Sequence, residues 1–514
     1  FFQAVIMASA ILQGRKLPST SYEAGSNRGS IAGYFPVRTY SKEWEENERL
    51  LSSIRADDLV ANDWAAKSAT NAIVTNSVGT GLTPQSAIAY QELDMSPEEA
   101  NALQSKMEWL WYEWTEECHY RNSLSFDSLQ ALAVRSLVRN GEFLHLPVME
   151  FRPGNKFALK LQDIKPHRLC TPCDKKTNPL IHDGVEITET GIPTHYWICS
   201  PRPSNIILTE QNYSSSEFRK IPAKIGHRRG IFHIFIPDEE EKYRGISDLS
   251  AGIKFFKHFN DAIDYELVAQ IIAASFPVFI SLEKNRQELP YGVGFEKKEE
   301  NPRYFQEINP GSIMYGNEGE KPEILESKRP SQNFLSFCEL VLRSASASLG
   351  LPYEEVSKDF SKTTYSSARA AMIGAWRIYG IYREFFRRHY CQPLWNMVME
   401  EAYLRGYLNL PAGMDFYKAL PFLCNCRWIG PARGYIDPLK EVQANILAID
   451  HDIMTMSDSI AERGSDFDEI INQREYEERR MRKLQSLRNS VQDKKQTILQ
   501  DTIKSENSEE EHDK

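Results

Sequence analysis

The chain has 514 residues, of which 41% are hydrophobic and 26% are charged, and its formal net charge is −10 at pH 7. This composition is that of a globular protein, and the length leaves room for two or more domains. The negative net charge argues against a protein whose whole surface binds nucleic acid. Eight cysteines in so long a chain do not make a disulfide framework. No apolar run reaches the roughly 18 residues of a membrane-spanning helix, so we expect no membrane among the partners.

The first 80 residues change from an irregular segment to a helix. Residues 1–40 mix Ser, Gly, Arg and Pro with little periodicity, and they are expected to form an arm. Apolar residues at helical spacing then predict a helix between Lys42 and Val78. Gly79 and Gly81 end it, and because no phosphate-loop lysine follows them, a C-cap and turn are favoured over a phosphate site.

The next part of the chain is predicted to pass from helices to strands. Two helices are expected within residues 96–140, with three tryptophans as core and interface anchors: Trp109, Trp111 and Trp114. Residues 142–237 contain short stretches rich in β-branched and aromatic residues, separated by Pro, Gly and Asn, which is typical of strands.

The middle of the sequence predicts two helices joined by a small β module. An apolar stripe indicates a helix at 246–276, short strands and turns follow to residue 330, and a second helix is expected at 331–349. Two helices whose ends are bridged by a β module form a stalk with a tip. The stretch 351–365 is then polar, charged and aromatic without a sustained period, which predicts an exposed loop.

The remaining sequence is largely helical. A long helix is expected over 366–405, with a kink at Pro393 because proline removes a backbone donor. After a turn-rich stretch, helices are predicted from Pro438 and from about Ser457 to Leu487, and the last residues are acidic and expected to be disordered.

Few residues in the sequence are arranged for chemistry. Cys170 and Cys173 form a CxxC pair, and Cys424 and Cys426 form a CxC pair, but their separation is far too long for a zinc knuckle. The sequence contains no phosphate-binding loop, no HExxH and no GxSxG. We therefore expect no catalytic residues, no metal and no cofactor.

A basic and aromatic stretch lies along the long helix. Its cations are Arg377, Arg383, Arg387, Arg388 and His389, interleaved with Trp and Tyr and Phe residues. This pattern is typical of a nucleic-acid face and equally of a subunit interface, where Arg and Tyr are enriched. The sequence leaves both interpretations open.

Several stretches together resemble a known family. They are RADDLVANDWAAKSATNAIVTNSVGTGLTP, RGISDLSAGIKFFKHFNDAIDYELVAQIIAASF, LGLPYEEVSKDFSKTTYSSARAAMIGAWR, CQPLWNMVMEEAYLRGYLNLP and YIDPLKEVQANILAIDHDIMTMSDSIAERGSDFDEI. In this order and combination the chain resembles the portal, or head–tail connector, proteins of tailed bacteriophages, in the lambda-type group. The resemblance extends from about residue 22 to residue 470.

The resemblance implies an α+β fold, mostly helical, that assembles into a ring. It divides the chain into an arm at 1–40, a wing at 41–245, a stem helix at 246–276, a β-rich clip at 277–330, a second stem helix at 331–350, a tunnel loop at 351–365, a long kinked helix and further wing at 366–436, crown helices at 437–490 and an acidic tail at 491–514.

The resemblance also implies a non-enzymatic function in the virion. Family members form a ring of about twelve subunits at one capsid vertex, through which double-stranded DNA is packaged and ejected. The implied partners are the large terminase subunit, the head–tail joining proteins, and the major capsid and scaffold proteins, with assembly in the host bacterial cytoplasm. Two alternatives remain at this point: a metal-dependent DNA-processing enzyme, and a head or neck adaptor without a DNA channel.

Three cations are the candidate DNA-channel residues. Lys358 and Lys362 lie in the implied tunnel loop, and Arg343 lies on the implied second stem helix. A mostly acidic wall with a few cations lets DNA slide, because tight phosphate binding scales with the number of neutralised charges. The alternative for each cation is a salt bridge to a neighbouring subunit.

Overall fold

The computed structural model describes residues 42–200, 215–275, 278–280, 313–315, 333–434 and 438–486. The chain divides into two units, residues 1–48 and residues 49–514. In the first unit the described residues, 42–48, are helical. The predicted arm and acidic tail lie outside the described residues, as does most of the predicted clip.

Helices form most of the regular structure in the described ranges. In chain order they are α1 Lys42–Asn62, α2 Trp64–Ser77, α3 Pro97–Glu117, α4 Phe126–Asn140, α5 Ile253–Ser275, α6 Phe334–Ser348, α7 Tyr353–Ser357, α8 Tyr365–Phe386, α9 Gln392–Leu404, α10 Phe416–Leu423, α11 Pro438–Asp450, α12 Met456–Glu462 and α13 467–486. Several begin at side-chain caps: Ser96 and Glu99 form a reciprocal capping box at α3, and Thr364 caps α8. No helix along the described ranges is both long and apolar enough to cross a membrane.

The strands make small sheets. They are β1 Thr83–Ser86, β2 Glu142–Met149, β3 Leu159–Ile164, β4 Ile181–His182, β5 Val185–Ile187, β6 Pro193–Cys199, β7 Phe218–Pro222, β8 Lys224–Ile225, β9 Arg228–Arg229, β10 Phe232–Phe235, β11 Val278–Ile280, β12 Ile313–Tyr315 and β13 Cys426–Ile429. The sheet orders are β10-β2-β3, β4-β5-β6-β7, β1-β13, β8-β9 and β11-β12. All of these pairings are antiparallel except β11-β12, which is parallel. The predicted α+β, mostly helical fold is confirmed.

The largest core lies between the helices of the N-terminal half and α8–α9. Trp111 is its hub, with ring centroids of Trp114 at 4.9 Å and Trp395 at 5.4 Å. Trp109, the third tryptophan expected in the core or an interface, is 46% exposed and lies under the ammonium groups of Lys106 and Lys156. A smaller core underlies the four-stranded sheet, where Val185, Tyr196, Ile198 and Ile221 pack together.

Three predicted helices have different bounds from those expected. The helix predicted from Lys42 to Val78 is broken at Asp63, whose carboxylate accepts the Ala66 N–H at 2.7 Å and caps a new helix. The helix predicted from residue 246 begins at Ile253, after turns. The helix predicted from 457 to 487 is two helices, separated at 463–466 around Gly464, whose φ is +75°.

The segment around Pro393 is continuous but irregular. A π-helical turn, Arg387–Cys391, joins α8 to α9 directly before this proline. Pro393 has no N–H to donate to the preceding turn. The helix is irregular at this point, as expected, and the irregularity is a π-helical turn. The loop predicted at 351–365 also contains the short helix α7.

Gly79 and Gly81 form the predicted C-cap and turn. Their φ angles are +54° and +117°, and the Gly79 N–H bonds to the Val74 carbonyl at 3.2 Å. A Cβ on Gly81 would lie 2.2 Å from Asp127 Oδ1. This close approach, together with the positive φ angle, explains why position 81 requires glycine.

Candidate functional site

The two helices of the predicted stem pack against each other through one face each. Phe256 and Phe259 from α5, and Leu342 and Ala345 from α6, are buried in the same core. The two helices approach each other closely at Gly252, just before α5. A Cβ at this position would lie 2.4 Å from Ser348 Oγ of α6. The absence of a side chain at Gly252 therefore allows the start of α5 to pack against the end of α6.

Both helices also expose large apolar side chains to solvent. More than half of the surface of each of five large side chains is exposed: Leu267, Val268, Ile271, Phe337 and Leu340. Apolar side chains that recur on one face are costly in water and mark an interaction surface. We call this surface the outer stem face.

The loop after α6 has a defined structure. Pro352 begins α7, and Lys358 ends it in the left-handed region with φ +57°, which few non-glycine residues adopt. Asp359 Oδ1 then accepts the Ser361 N–H at 3.0 Å. These local bonds give the polar loop a fixed course despite its lack of sequence periodicity.

Both predicted lysines form ion pairs within their own chain. Lys358 Nζ lies 2.9 Å from Glu355 Oε1, and Lys362 Nζ bonds to Glu339 of α6. The hydrogen bond to Glu339 raises the pKa of Lys362, so this lysine is charged at neutral pH. Each lysine exposes more than half of its side chain. Both lysines therefore have a carboxylate partner within their own chain.

Arg343 holds the loop from the stem side. Its guanidinium carbon lies 5.1 Å from the centroid of the Tyr353 ring, a cation–π geometry. One turn earlier on α6, Glu339 binds Lys362. Arg343 and Lys362 therefore both link α6 to the loop that follows it, whereas Lys358 lies at the C-terminal end of α7. The sequence reasoning missed Glu339 and Tyr353, although the i,i+3 spacing of Glu355 and Lys358 was visible.

The basic stretch on α8 has three different roles. Arg383 points inward, where its guanidinium donates to the carbonyls of Asn76 and Ser77 at 2.9 and 3.1 Å, and burial lowers its pKa. Arg387 and Arg388, in the π-helical turn that follows α8, pair with Glu384 of α8. Arg377 is exposed. Arg383 therefore joins α8 to the end of α2 within the fold.

The cysteines are poor metal ligands in this fold. Cys424 and Cys426 are buried, and burial raises the pKa of Cys424 to about 12, which keeps the thiol protonated, whereas zinc binds the thiolate. Within the described ranges, no three His, Cys, Asp or Glu side chains lie close enough together to hold a metal ion.

Comparison with known proteins identifies the chain's relatives. The model of the family described as phage portal protein, lambda family, matches residues 32–383. Portal protein B of Escherichia phage lambda is 25% identical over 453 residues, covering 83% of each chain. The portal protein of Escherichia phage N15 is 24% identical over 449 residues, covering 83% of this chain and 84% of the relative. Among solved structures, the neck of an empty gene transfer agent particle matches with 12% identity and a TM-score of 0.36, over 78% of this chain and 90% of that one.

Proposed function

Because the chain belongs to the lambda family of phage portal proteins, we propose that it forms the ring-shaped channel through which double-stranded DNA is packaged and ejected. It is a structural protein of a phage or prophage particle, not an enzyme. The observation that carries the proposal is the family match over residues 32–383. The channel lies at one capsid vertex, and assembly takes place in the host bacterial cytoplasm.

Self-association into a ring of about twelve subunits is supported by the outer stem face. Leu267 and Ile271 lie one turn apart on α5, and Phe337 and Leu340 lie one turn apart on α6, so each helix presents an apolar strip. A neighbouring copy that covers both strips removes them from water, and burial of apolar area is the main driving force for association.

The proposed parts of the subunit follow the family order. The stem comprises α5 and α6, the clip lies between them, and the tunnel loop connects α6 to α8. The crown comprises the helices from Pro438 onward, and the wing comprises the sheets and the remaining helices. In this arrangement the clip meets the large terminase subunit and later the head–tail joining proteins, and the wing meets the capsid and scaffold proteins.

Lys358, Lys362 and Arg343 are the proposed transient contacts with the DNA backbone. The loop at 351–365 carries Glu354, Glu355 and Asp359 beside the two lysines, so it is not a strongly basic surface. Each lysine already has a carboxylate partner. Exchange of that carboxylate for a passing phosphate replaces one ion pair by another, which allows contact without retention.

Electron microscopy of the purified protein, with mass by light scattering, tests this proposal. Rings of about twelve subunits with a hole wide enough for duplex DNA are the expected result. The absence of a ring of fixed size would favour the adaptor instead. DNA cleavage that depends on Mg²⁺ or Zn²⁺ would favour the DNA-processing enzyme and overturn the proposal.

A further inference from the structure

A cleft between α8 and α11 contains two arginines that lack acidic partners. The cleft has a volume of about 170 Å³, and its lining includes Arg369, Ile373, Trp376, Arg433 and Glu441. Both arginines are exposed, and no carboxylate of the described residues forms an ion pair with either of them. Glu441 lies in the same cleft, and it forms no ion pair with the residues that the structure describes. We call this feature the arginine cleft.

A second unbalanced charge lies in the loop between β10 and α5. Asp238, Glu239, Glu240 and Glu241 follow one another, and all four are exposed. Glu239 pairs with Lys242 at 3.6 Å, and no ion pair involves Glu240 or Glu241 within the described part of the chain. Adjacent like charges repel, so this acidic loop favours a cationic partner.

The arginine cleft and the acidic loop lie on opposite flanks of α8. Tyr379 marks the buried line of this helix. At about 100° per residue, Arg369 and Trp376 lie about 60–80° to one side of Tyr379, and Tyr382 lies about 60° to the other side. Tyr382 binds Asp248, and the charge of Asp238 acts on both of these groups. One subunit therefore presents a cationic cleft on one flank and an acidic loop on the other.

We propose that the acidic loop of one subunit docks into the arginine cleft of its neighbour in the ring. This inference rests on the proposed ring. A head-to-tail contact of this kind uses two different surfaces of the same chain, as cyclic assemblies require. Glu240 and Glu241 supply carboxylates for Arg369 and Arg433, and their methylene groups pack against Ile373 and Trp376.

The chemistry of the cleft favours a carboxylate-bearing peptide over the DNA backbone. Its apolar floor, formed by Ile373 and Trp376, suits the methylene groups of glutamate side chains, which the phosphate groups of DNA lack. The contact also gives each subunit interface a polar component that selects one direction of assembly, because charge complementarity sets partner orientation. Its ion pairs weaken with added salt.

Charge reversal tests the contact. Arg369→Glu with Arg433→Glu is expected to reduce ring formation at least tenfold in light scattering while the circular dichroism spectrum is kept, because both side chains are exposed. Adding Glu240→Arg and Glu241→Arg in the same chain is expected to restore rings. Arg377→Glu is the matched control, since Arg377 is exposed on the same helix outside the cleft, and it is expected to leave rings intact.

Three results would overturn the inference. The first is normal ring formation by the Arg369→Glu, Arg433→Glu variant. The second is a loss of rings that adding Glu240→Arg and Glu241→Arg fails to restore. Intact rings that no longer retain duplex DNA would assign the cleft to DNA instead. If the unmodified protein forms no rings in the buffer used for light scattering, the proposed function itself fails. This outcome is distinct from a failure of the contact, which only the variants reveal.

Discussion

The phenol oxygen of Tyr382, near the C-terminal end of α8, lies 2.5 Å from Oδ2 of Asp248, in the turns before α5. This bond ties α8 to the turns that lead into α5. Burial raises the pKa of Asp248 from 3.8 to about 7, although the bond from Tyr382 opposes the change. The carboxyl group therefore changes charge near neutral pH at a junction between two parts of the subunit.

Stability is expected to fall between about pH 4 and pH 7 because of Asp248. Its folded pKa is raised, so the folded state binds the proton more tightly than the unfolded state, and this contribution is lost as the pH rises through the window. The loss is at most about 4 kcal/mol. Asp248→Asn keeps an acceptor for Tyr382 and should flatten the profile measured by urea unfolding from pH 5 to pH 8. An unchanged slope in this variant would assign the dependence to other groups.

Glu142, the first residue of β2, is expected to be essential for the stability of the fold. It is fully buried, and although burial opposes its charge, Arg244 and His233 hold its pKa well below the usual range. Glu142→Gln removes the charge of one of the two carboxylate partners of Arg244, the other being Asp183, and should cost about 3–5 kcal/mol of unfolding free energy. Glu239→Gln, at an exposed site, is the control and should change the unfolding midpoint little. Similar midpoints for the two variants would contradict the role of this buried pair.

Gly81→Ala is expected to destabilise the protein by about 1–3 kcal/mol. The φ angle at this position is +117°, and the added Cβ would collide with Asp127. Gly374→Ala is the matched control, because its Cβ meets open space within α8, and helix propensity predicts a gain of up to about 1 kcal/mol. Thermal unfolding of both variants checks the prediction, and a stabilised Gly81→Ala would refute the strained turn.

Polar substitution on the outer stem face is expected to prevent ring assembly without unfolding the subunit. Phe337→Ser with Leu340→Ser removes apolar area that is already exposed in the single chain, so the folded monomer should persist while rings disappear from light scattering. Ile192→Ser, which changes a similarly exposed residue of the wing, should leave assembly intact. Rings formed at the normal yield by the double variant would place the subunit interface elsewhere.

The paired lysines of the loop are expected to affect DNA rather than assembly. Lys358→Ala with Lys362→Ala should leave rings intact and reduce DNA packaging or retention in particles. Glu339→Gln should act in the opposite direction and increase retention, because it releases Lys362 to bind phosphate. Lys220→Ala in the wing, where Lys220 is also exposed and paired with Glu186, is the control. Loss of rings in the double lysine variant would show that the loop is a subunit interface.

The sequence by itself determined the features that depend on neighbours within a few turns. The apolar periods predicted α3, α4, α6 and α9, and Gly79 and Gly81 predicted the end of a helix, because propensity, capping and turn conformation are local properties. The order of the stretches also predicted the portal family, which the comparison confirmed. Even the break at Asp63 follows a local rule, since Asp is a strong N-cap residue.

Only the tertiary structure decided which side chains meet across the chain. Arg383 appears in the sequence among exposed arginines, yet it binds carbonyls about 300 residues earlier in the chain, at Asn76 and Ser77. Lys362 finds Glu339, and Tyr382 finds Asp248. A charged side chain carries no local signal of its partner, because the energy of the pair depends on burial and distance that arise only when the helices pack.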